Sequence, residues 1–401
     1  MGQPEKKSRK KMWWILGAII AVIVIIAAVV GGVVGSRSSR SSSNKDSSSS
    51  NNGDGDGSSG GSSGNGTSSS NTTEPLKNIR PNAKLAVTGY RIDDGFRIRL
   101  FFQGPEGNLR YSDYLSVNDA WSNPIELDNL KAINDTPVAS STLLDEDPPQ
   151  VYLFYSDRNN ELKGQIFQDG TRPVKGDAAG INSFPLTIDV SSRMASYFPY
   201  VVSQDANTGT IRWIEWHGFN DWSNSTFDGV KGTAGTGLAL IPAAVKYLDG
   251  GAFVYRNEEG KMSIFLASQD GDVPSTWAWS YGAELAAAIP KESAIGAFVY
   301  GREADLINTY TLYQDRSGTL QVIWQNDTSS GWQGPKTYDA LAGADNGTDI
   351  TCVTQTAWDE QGVNISSTTD MNRCYFQSEG KVKEVRFDGL NWLDLGFLPI
   401  T

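Results

Sequence analysis

The sequence predicts an all-β chain, a six-bladed β-propeller ectodomain behind one N-terminal transmembrane helix and a disordered Ser/Gly linker. Three observations carry this. Residues 13–34 are apolar or glycine without a break, residues 36–73 are mostly Ser, Gly and Asn, and after Pro81 a unit of short aromatic strands and polar turns recurs six times.

The N-terminal elements follow from length and charge. Residues 1–12 form a basic tail with Lys6, Lys7, Arg9, Lys10 and Lys11. The 22 apolar or glycine residues that follow span about 33 Å as a helix, against a hydrocarbon core of about 30 Å, so 13–35 reads as a signal-anchor helix. A cleaved signal peptide normally has a shorter apolar region, and cleavage near Gly35 is the alternative. The five cations before the helix outnumber the three just after it, Arg37, Arg40 and Lys45, and the positive-inside bias then leaves the tail cytoplasmic. The expected topology is single-pass type II, with the membrane as a partner and the propeller extracellular or lumenal.

Residues 36–80 read as a stalk, because 24 of the 38 residues from Ser36 to Thr73 are Ser or Gly and such a composition cannot bury a core. N-x-[ST] sequons at Asn65, Asn71, Asn134, Asn224, Asn326, Asn346 and Asn364 suit a secretory route. In an oxidising lumen Cys352 and Cys374, on consecutive predicted strands, could pair; two buried free thiols are the alternative.

Composition excludes whole classes of chemistry. The net charge is −12, and residues 61–401 hold 26 Lys and Arg against 42 Asp and Glu, so no nucleic-acid partner is expected. With one histidine, His217, and two cysteines, no catalytic set, metal site or cofactor is expected. Gly55, Gly57 and Gly60 match G-x-G-x-x-G, but they lie in the Ser/Gly tract with no strand before them, so the match is chance.

The propeller, residues 81–401, rests on the repeat. Its six copies open at Arg99, Tyr152, Pro199, Ala252, Tyr310 and Arg373, spaced 53, 47, 53, 58 and 63 residues apart. Each has an aromatic strand, a Gly or Asn turn and a second strand, and most end in Trp. The spacing accommodates a four-stranded blade, and six blades close a ring without long exposed edges. Small residues precede each unit (Ala86, Ala139, Ala195, Ala243-Ala244, Gly296 and Cys352 to Thr354) and suit innermost strands crowded around a channel. A pair of β-sandwiches is the competing fold.

With these residues laid out, the chain resembles the fungal fucose-specific lectins over about residues 80–401. Their repeat has an Arg opening one strand, an aromatic pair and Gln, a carboxylate on the next strand, then Gly-Trp. The resemblance implies fucose bound between neighbouring blades by guanidinium, carboxylate and aromatic groups, with fucosylated glycans or glycoproteins as partners and no catalysis. Only the last repeat keeps Arg373, Glu384 and Trp392. A two-residue turn at Glu379-Gly380 pairs Tyr375 with Glu384, which puts Arg373 and Glu384 on one face. Without the resemblance, the same residues read as a surface ion pair beside a packing Trp. Repeat one keeps Arg99 and Trp121 but has Tyr111 at the carboxylate position; a three-residue turn would bring Asp113 opposite Arg99 instead. Repeats two to five lack both charges. Two other functions stay open: a propeller scaffold that has lost sugar binding, and a sialidase-like glycosidase, whose turn motif the stretch Ser268 to Trp277 matches only with wrong spacing.

Overall fold

The computed structural model describes residues 79–400 apart from positions 93, 144–148, 169–179, 189, 199, 206, 218–220, 246–249, 270–276, 304–305, 330 and 356–364. The basic tail, the apolar segment, the Ser/Gly tract and the sequons at Asn65, Asn71 and Asn364 lie outside the described residues. Among the described residues no helix is long and apolar enough to cross a membrane.

Six antiparallel sheets follow one another along the chain. Blade 1 contains β1 (Ala86–Ile92), β2 (Gly95–Gln103), β3 (Leu109–Leu115), β4 (Ala120–Trp121) and β5 (Ile125–Glu126). Blade 2 contains β6 (Val138–Leu143), β7 (Gln150–Ser156) and β8 (Leu162–Gln168). Blade 3 runs through β9 (Met194–Tyr197), β10 (Tyr200–Gln204), β11 (Thr210–Trp216) and β12 (Trp222–Lys231), and blade 4 through β13 (Leu238–Pro242), β14 (Gly250–Arg256), β15 (Lys261–Gln269) and β16 (Trp277–Ala288). Blade 5 comprises β17 (Ile295–Arg302), β18 (Leu306–Gln314), β19 (Leu320–Gln325) and β20 (Gln333–Lys336). Blade 6 comprises β21 (Ile350–Cys352), β22 (Arg373–Ser378), β23 (Lys381–Phe387) and β24 (Trp392–Phe397).

The innermost strands neighbour one another in a closed circuit, β1, β6, β9, β13, β17, β21 and back to β1. They line a channel with small side chains such as Thr88, Ser140, Ser196, Ala239 and Thr354. Gly296 is there for want of space, since a Cβ would sit 2.6 Å from Ile350 Cγ2. In blade 4 the small residue in the strand is Ala239, not Ala243-Ala244, which fall in a bend after β13. Four strands per blade holds for blades 3 to 6. Blade 1 adds β5 alongside β3, and blade 2 shows three strands among the described residues. Cys352 and Cys374 are cross-strand partners of β21 and β22 and are joined as a disulfide.

The core is six separate layers between neighbouring blades. Phe101, Tyr111, Leu153 and Phe167 fill the layer between blades 1 and 2, and Phe298, Tyr310, Phe387 and Trp392 fill that between blades 5 and 6. Alternation along each strand therefore sends side chains to two different layers. A recurrent polar tie links the blades at the end of each second strand. Gln103 donates to Ile133 O (2.9 Å), Ser156 to Ile188 O (2.8 Å), Gln204 to Thr233 O (2.8 Å), Arg256 to Ile289 O (2.6 Å) and Gln314 to Asp345 O (2.9 Å). The sixth, Gln377, donates to Arg80 O at 3.0 Å and so joins the last blade to the entry of the first. Each such bond contributes only about 1 kcal/mol net, but leaving a buried partner unpaired costs more.

Candidate functional site

The two ends of the ring meet between blades 6 and 1, where the candidate residues of the last repeat converge. The hairpin of β22 and β23 turns through Glu379 and Gly380, with φ of 54° and 70°, the geometry of a two-residue primed turn. That turn sets Tyr375 opposite Glu384. Arg373 lies two residues from Tyr375 on the same face, so both reach the carboxylate. Arg373 Nη1 donates to Glu384 Oε1 at 2.7 Å and the Tyr375 hydroxyl donates to the same oxygen at 2.9 Å.

Blade 1 supplies the other wall. Trp121 Nε1 donates to Glu384 Oε2 at 3.0 Å, and Arg373 Nη2 donates to the Tyr114 hydroxyl at 3.3 Å. The Arg373 guanidinium lies 4.3 Å from the Tyr114 ring centroid and 5.3 Å from that of Phe96. Trp121 meets Tyr375 edge-on at 5.7 Å. Arg373 and Glu384 are each 5% exposed, so the pair is buried rather than a surface ion pair. Burial works against the Arg373 charge, but the neighbouring Tyr375 and Glu384 outweigh it and raise its pKa. Burial also pushes the Tyr375 phenol well up, keeping it a donor.

The unused hydrogen-bonding capacity defines what the site can take. Three of the five Arg373 N–H groups are used, on Glu384, Tyr114 and Asp370 O. Glu384 accepts three hydrogen bonds out of about four lone-pair sites. Two charged-group donors and one acceptor, beside an indole, suit a polyhydroxylated ring with an apolar face.

No family model and no curated protein matches the sequence. Solved structures do match the coordinates. The fucose-specific lectin from Aleuria aurantia aligns with a TM-score of 0.63 at 16% identity, covering 80% of this chain and 97% of the lectin. AofleA from Arthrobotrys oligospora gives 0.60 at 17% identity, over 80% of this chain and 88% of that one. The SapL1 lectin, solved with α-methyl fucoside, gives 0.60 at 15% identity, over 81% and 99%. The fold is the one these lectins share.

Other residues singled out in the sequence fall elsewhere on the propeller. Trp392 is not beside Arg373 and Glu384. It packs towards blade 5, 5.9 Å from Phe298 and 5.4 Å from Phe387. Trp392 in blade 6 corresponds to Trp121 in blade 1, so each such indole serves the interface with the preceding blade, a relation that spacing within one repeat does not reveal. Arg99 and Trp121 likewise do not share a site: Trp121 faces blade 6, whereas Arg99 faces blade 2 beside Tyr111 (4.3 Å) and Phe167 (5.3 Å). The three-residue turn does bring Asp113 opposite Arg99, and the two form a bidentate pair at 2.6 and 2.7 Å. Burial opposes the Arg99 charge, and the hydrogen bonds that Arg99 donates to Asp113, with the carboxylate's charge, reverse that and raise its pKa. Where the seam has Tyr114, this second site has Phe167.

Tyr114, Tyr375 and Phe96 belong to the seam site and were missed. Tyr375 was recoverable, since strand alternation puts it on the face of Arg373. Tyr114 and Phe96 come from the other end of the chain.

Proposed function

We propose that this protein is a membrane-anchored lectin that recognises fucose-containing glycans at the seam between its last and first blades, without catalysis. The observation that carries the reading is the buried Arg373 and Glu384 pair capped by Trp121 from the neighbouring blade. A carboxylate and a guanidinium with spare acceptor and donor positions match vicinal hydroxyls, and the indole matches a CH face or deoxysugar methyl. The fold shared with proteins named as fucose-specific lectins supports the same ligand class. Arg99 and Asp113 offer a second, weaker site without the indole.

The anchor and the type II topology rest on residues 1–35 and the charge bias around them. Monosaccharide contacts are few, so affinity at one site is modest, and many anchored copies supply avidity. A glycan array on the full chain tests the reading: retention of fucosylated glycans, lost in Glu384→Gln, is expected, and silence across the array overturns it. The second reading, an interaction scaffold that has lost sugar binding, is favoured by one observation. The seam pair is already well bonded within the protein and ties the ring closed, so it also makes sense as structure alone.

A further inference from the structure

The interface between blades 5 and 6 is a wide cleft lined by Tyr300, Tyr310, Trp324, Tyr338 and Phe387. It holds about 950 Å³, at the upper end of the roughly 300–1,000 Å³ of a small-molecule pocket, so it has room for more than one sugar ring. Leu306 (49% exposed) and Leu390 (85% exposed) stand at its edge.

Asn326 also lines this cleft, and it begins the sequon Asn326-Asp327-Thr328. Its Nδ2 donates to the Tyr310 hydroxyl at 3.2 Å, so the nitrogen that bears an N-linked sugar lies against the cleft wall. Its Oδ1 accepts from Thr328 N (3.2 Å) and Thr328 Oγ1 (2.9 Å). Two other sequons have a structural explanation for their hydroxyl residue. Thr136 and Thr348 are buried, and each accepts a backbone N–H of the adjoining strand, from Ser156 (2.9 Å) and Gln377 (2.7 Å). Thr328 is exposed, and its side chain bonds only Asn326 among the described contacts.

We propose that Asn326 carries an N-linked glycan and that this glycan lies in the cleft between blades 5 and 6, its sugars packed on Trp324 and Tyr338. The proposal rests on the secretory topology proposed above. The modification joins Asn326 Nδ2 to C1 of the first N-acetylglucosamine of a polyisoprenyl-diphosphate-linked oligosaccharide supplied by the host. The N–C1 bond forms, the bond from C1 to the diphosphate oxygen breaks, the amide gives up one proton, and nothing is oxidised or reduced. The half-buried faces of Trp324 and Tyr338 present flat apolar surface to the CH faces of the sugars. The chain's own glycan then fills an inter-blade position that lacks the Arg and Glu of the seam.

The test uses the full chain made in a eukaryotic secretory host. Glycopeptide mass spectrometry reads occupancy at Asn326 and at the exposed sequons Asn134 and Asn346, and an endoglycosidase time course on native protein reads accessibility. Asn326 should be occupied, and its glycan should be released at least about tenfold more slowly than the other two, the factor expected if the sugar is seated about nine-tenths of the time. Trp324→Ala, or Tyr338→Ala should the first fail to fold, should bring release to within about twofold of the controls. An unmodified Asn326 beside modified Asn134 and Asn346 overturns the proposal and leaves the topology standing. Equal release rates, or slow release that neither substitution changes, overturn the seating. Absence of glycan at every sequon overturns the proposal and the secretory topology together.

Discussion

The seam between blades 6 and 1 and the interface between blades 5 and 6 are built from the same positions, with different consequences. At the seam, Arg373 and Glu384 face Tyr114 and Trp121 of the next blade. At the other interface, Tyr310 and Val322 stand at the positions of Arg373 and Glu384, facing Phe387 and Trp392. Trp121 Nε1 has a carboxylate to bond, whereas Trp392 Nε1 is buried with no hydrogen-bond partner among the described residues. A buried N–H without an acceptor is a cost of about 1–3 kcal/mol. At this interface Trp392 therefore acts through packing, while at the seam Trp121 acts through packing and polarity together.

The largest effect should come from breaking the seam pair. Arg373→Ala leaves a buried carboxylate without its cation and should cost about 3–5 kcal/mol in unfolding free energy. Tyr310→Phe, at the matching position, removes only hydrogen bonds from a hydroxyl and should cost about 0.5–1.5 kcal/mol. Denaturant titration of both reads the difference, and equal losses would mean the two interfaces are energetically alike.

A smaller contrast isolates the indoles. Trp121→Phe removes the donor to Glu384 and should lose about 1.5–3 kcal/mol together with glycan binding. Trp392→Phe removes an unpaired N–H at some loss of area and should change stability by less than about 1 kcal/mol, leaving glycan binding intact. A larger loss from Trp392→Phe would show that its N–H is bonded in solution.

A third contrast lies at the channel lining, away from both interfaces. Burial, aided by the nearby Arg193, lowers the Lys84 pKa from its ordinary 10.5 to about 8. Below pH 8 the amine is charged whether the chain is folded or not, and the burial cost is present in full. Between about 8 and 10.5 the unfolded chain holds a proton that the folded one has released, so stability rises with pH. Lys84→Met should therefore raise stability at pH 7 by about 1–3 kcal/mol and flatten that rise. Melting temperatures across this range check it, and a mutant with the wild-type slope would assign the rise to another group.

Much of the fold was legible because a propeller repeats what it does locally. Period-two alternation, the turn at Glu379-Gly380 and the three-residue turn before Asn108 specify hairpin registers within a few residues, and the structure has those registers. The pairing of neighbouring blades is another matter. Glu384 and Trp121 are 263 residues apart, and only closure of the ring brings them together. That is why Trp392 was grouped with Arg373 and Glu384, and Trp121 with Arg99. The inter-blade ties from Gln103, Ser156, Gln204, Arg256, Gln314 and Gln377 were in view as strand ends, but three residue types fill one role there, so recurrence of identity did not expose them. Burial of the ion pair was also not legible, since its cover of Phe96, Tyr114 and Trp121 comes from the opposite end of the chain.

The claim that the seam is a sugar site is tested most directly by titrating methyl fucoside into the wild type and Glu384→Gln while measuring unfolding of both. Glu384→Gln removes the charge and turns one acceptor oxygen into a donor, and charge-assisted hydrogen bonds contribute about 1.5–3 kcal/mol each. The wild type should bind at about one site, two at most if Arg99 and Asp113 also serve, and affinity in the mutant should fall at least about tenfold. Because the pair is buried, a stability loss of about 1–3 kcal/mol should accompany it, with the mutant still folded at the titration temperature. Fucoside binding of unchanged affinity in a folded Glu384→Gln protein would contradict the account.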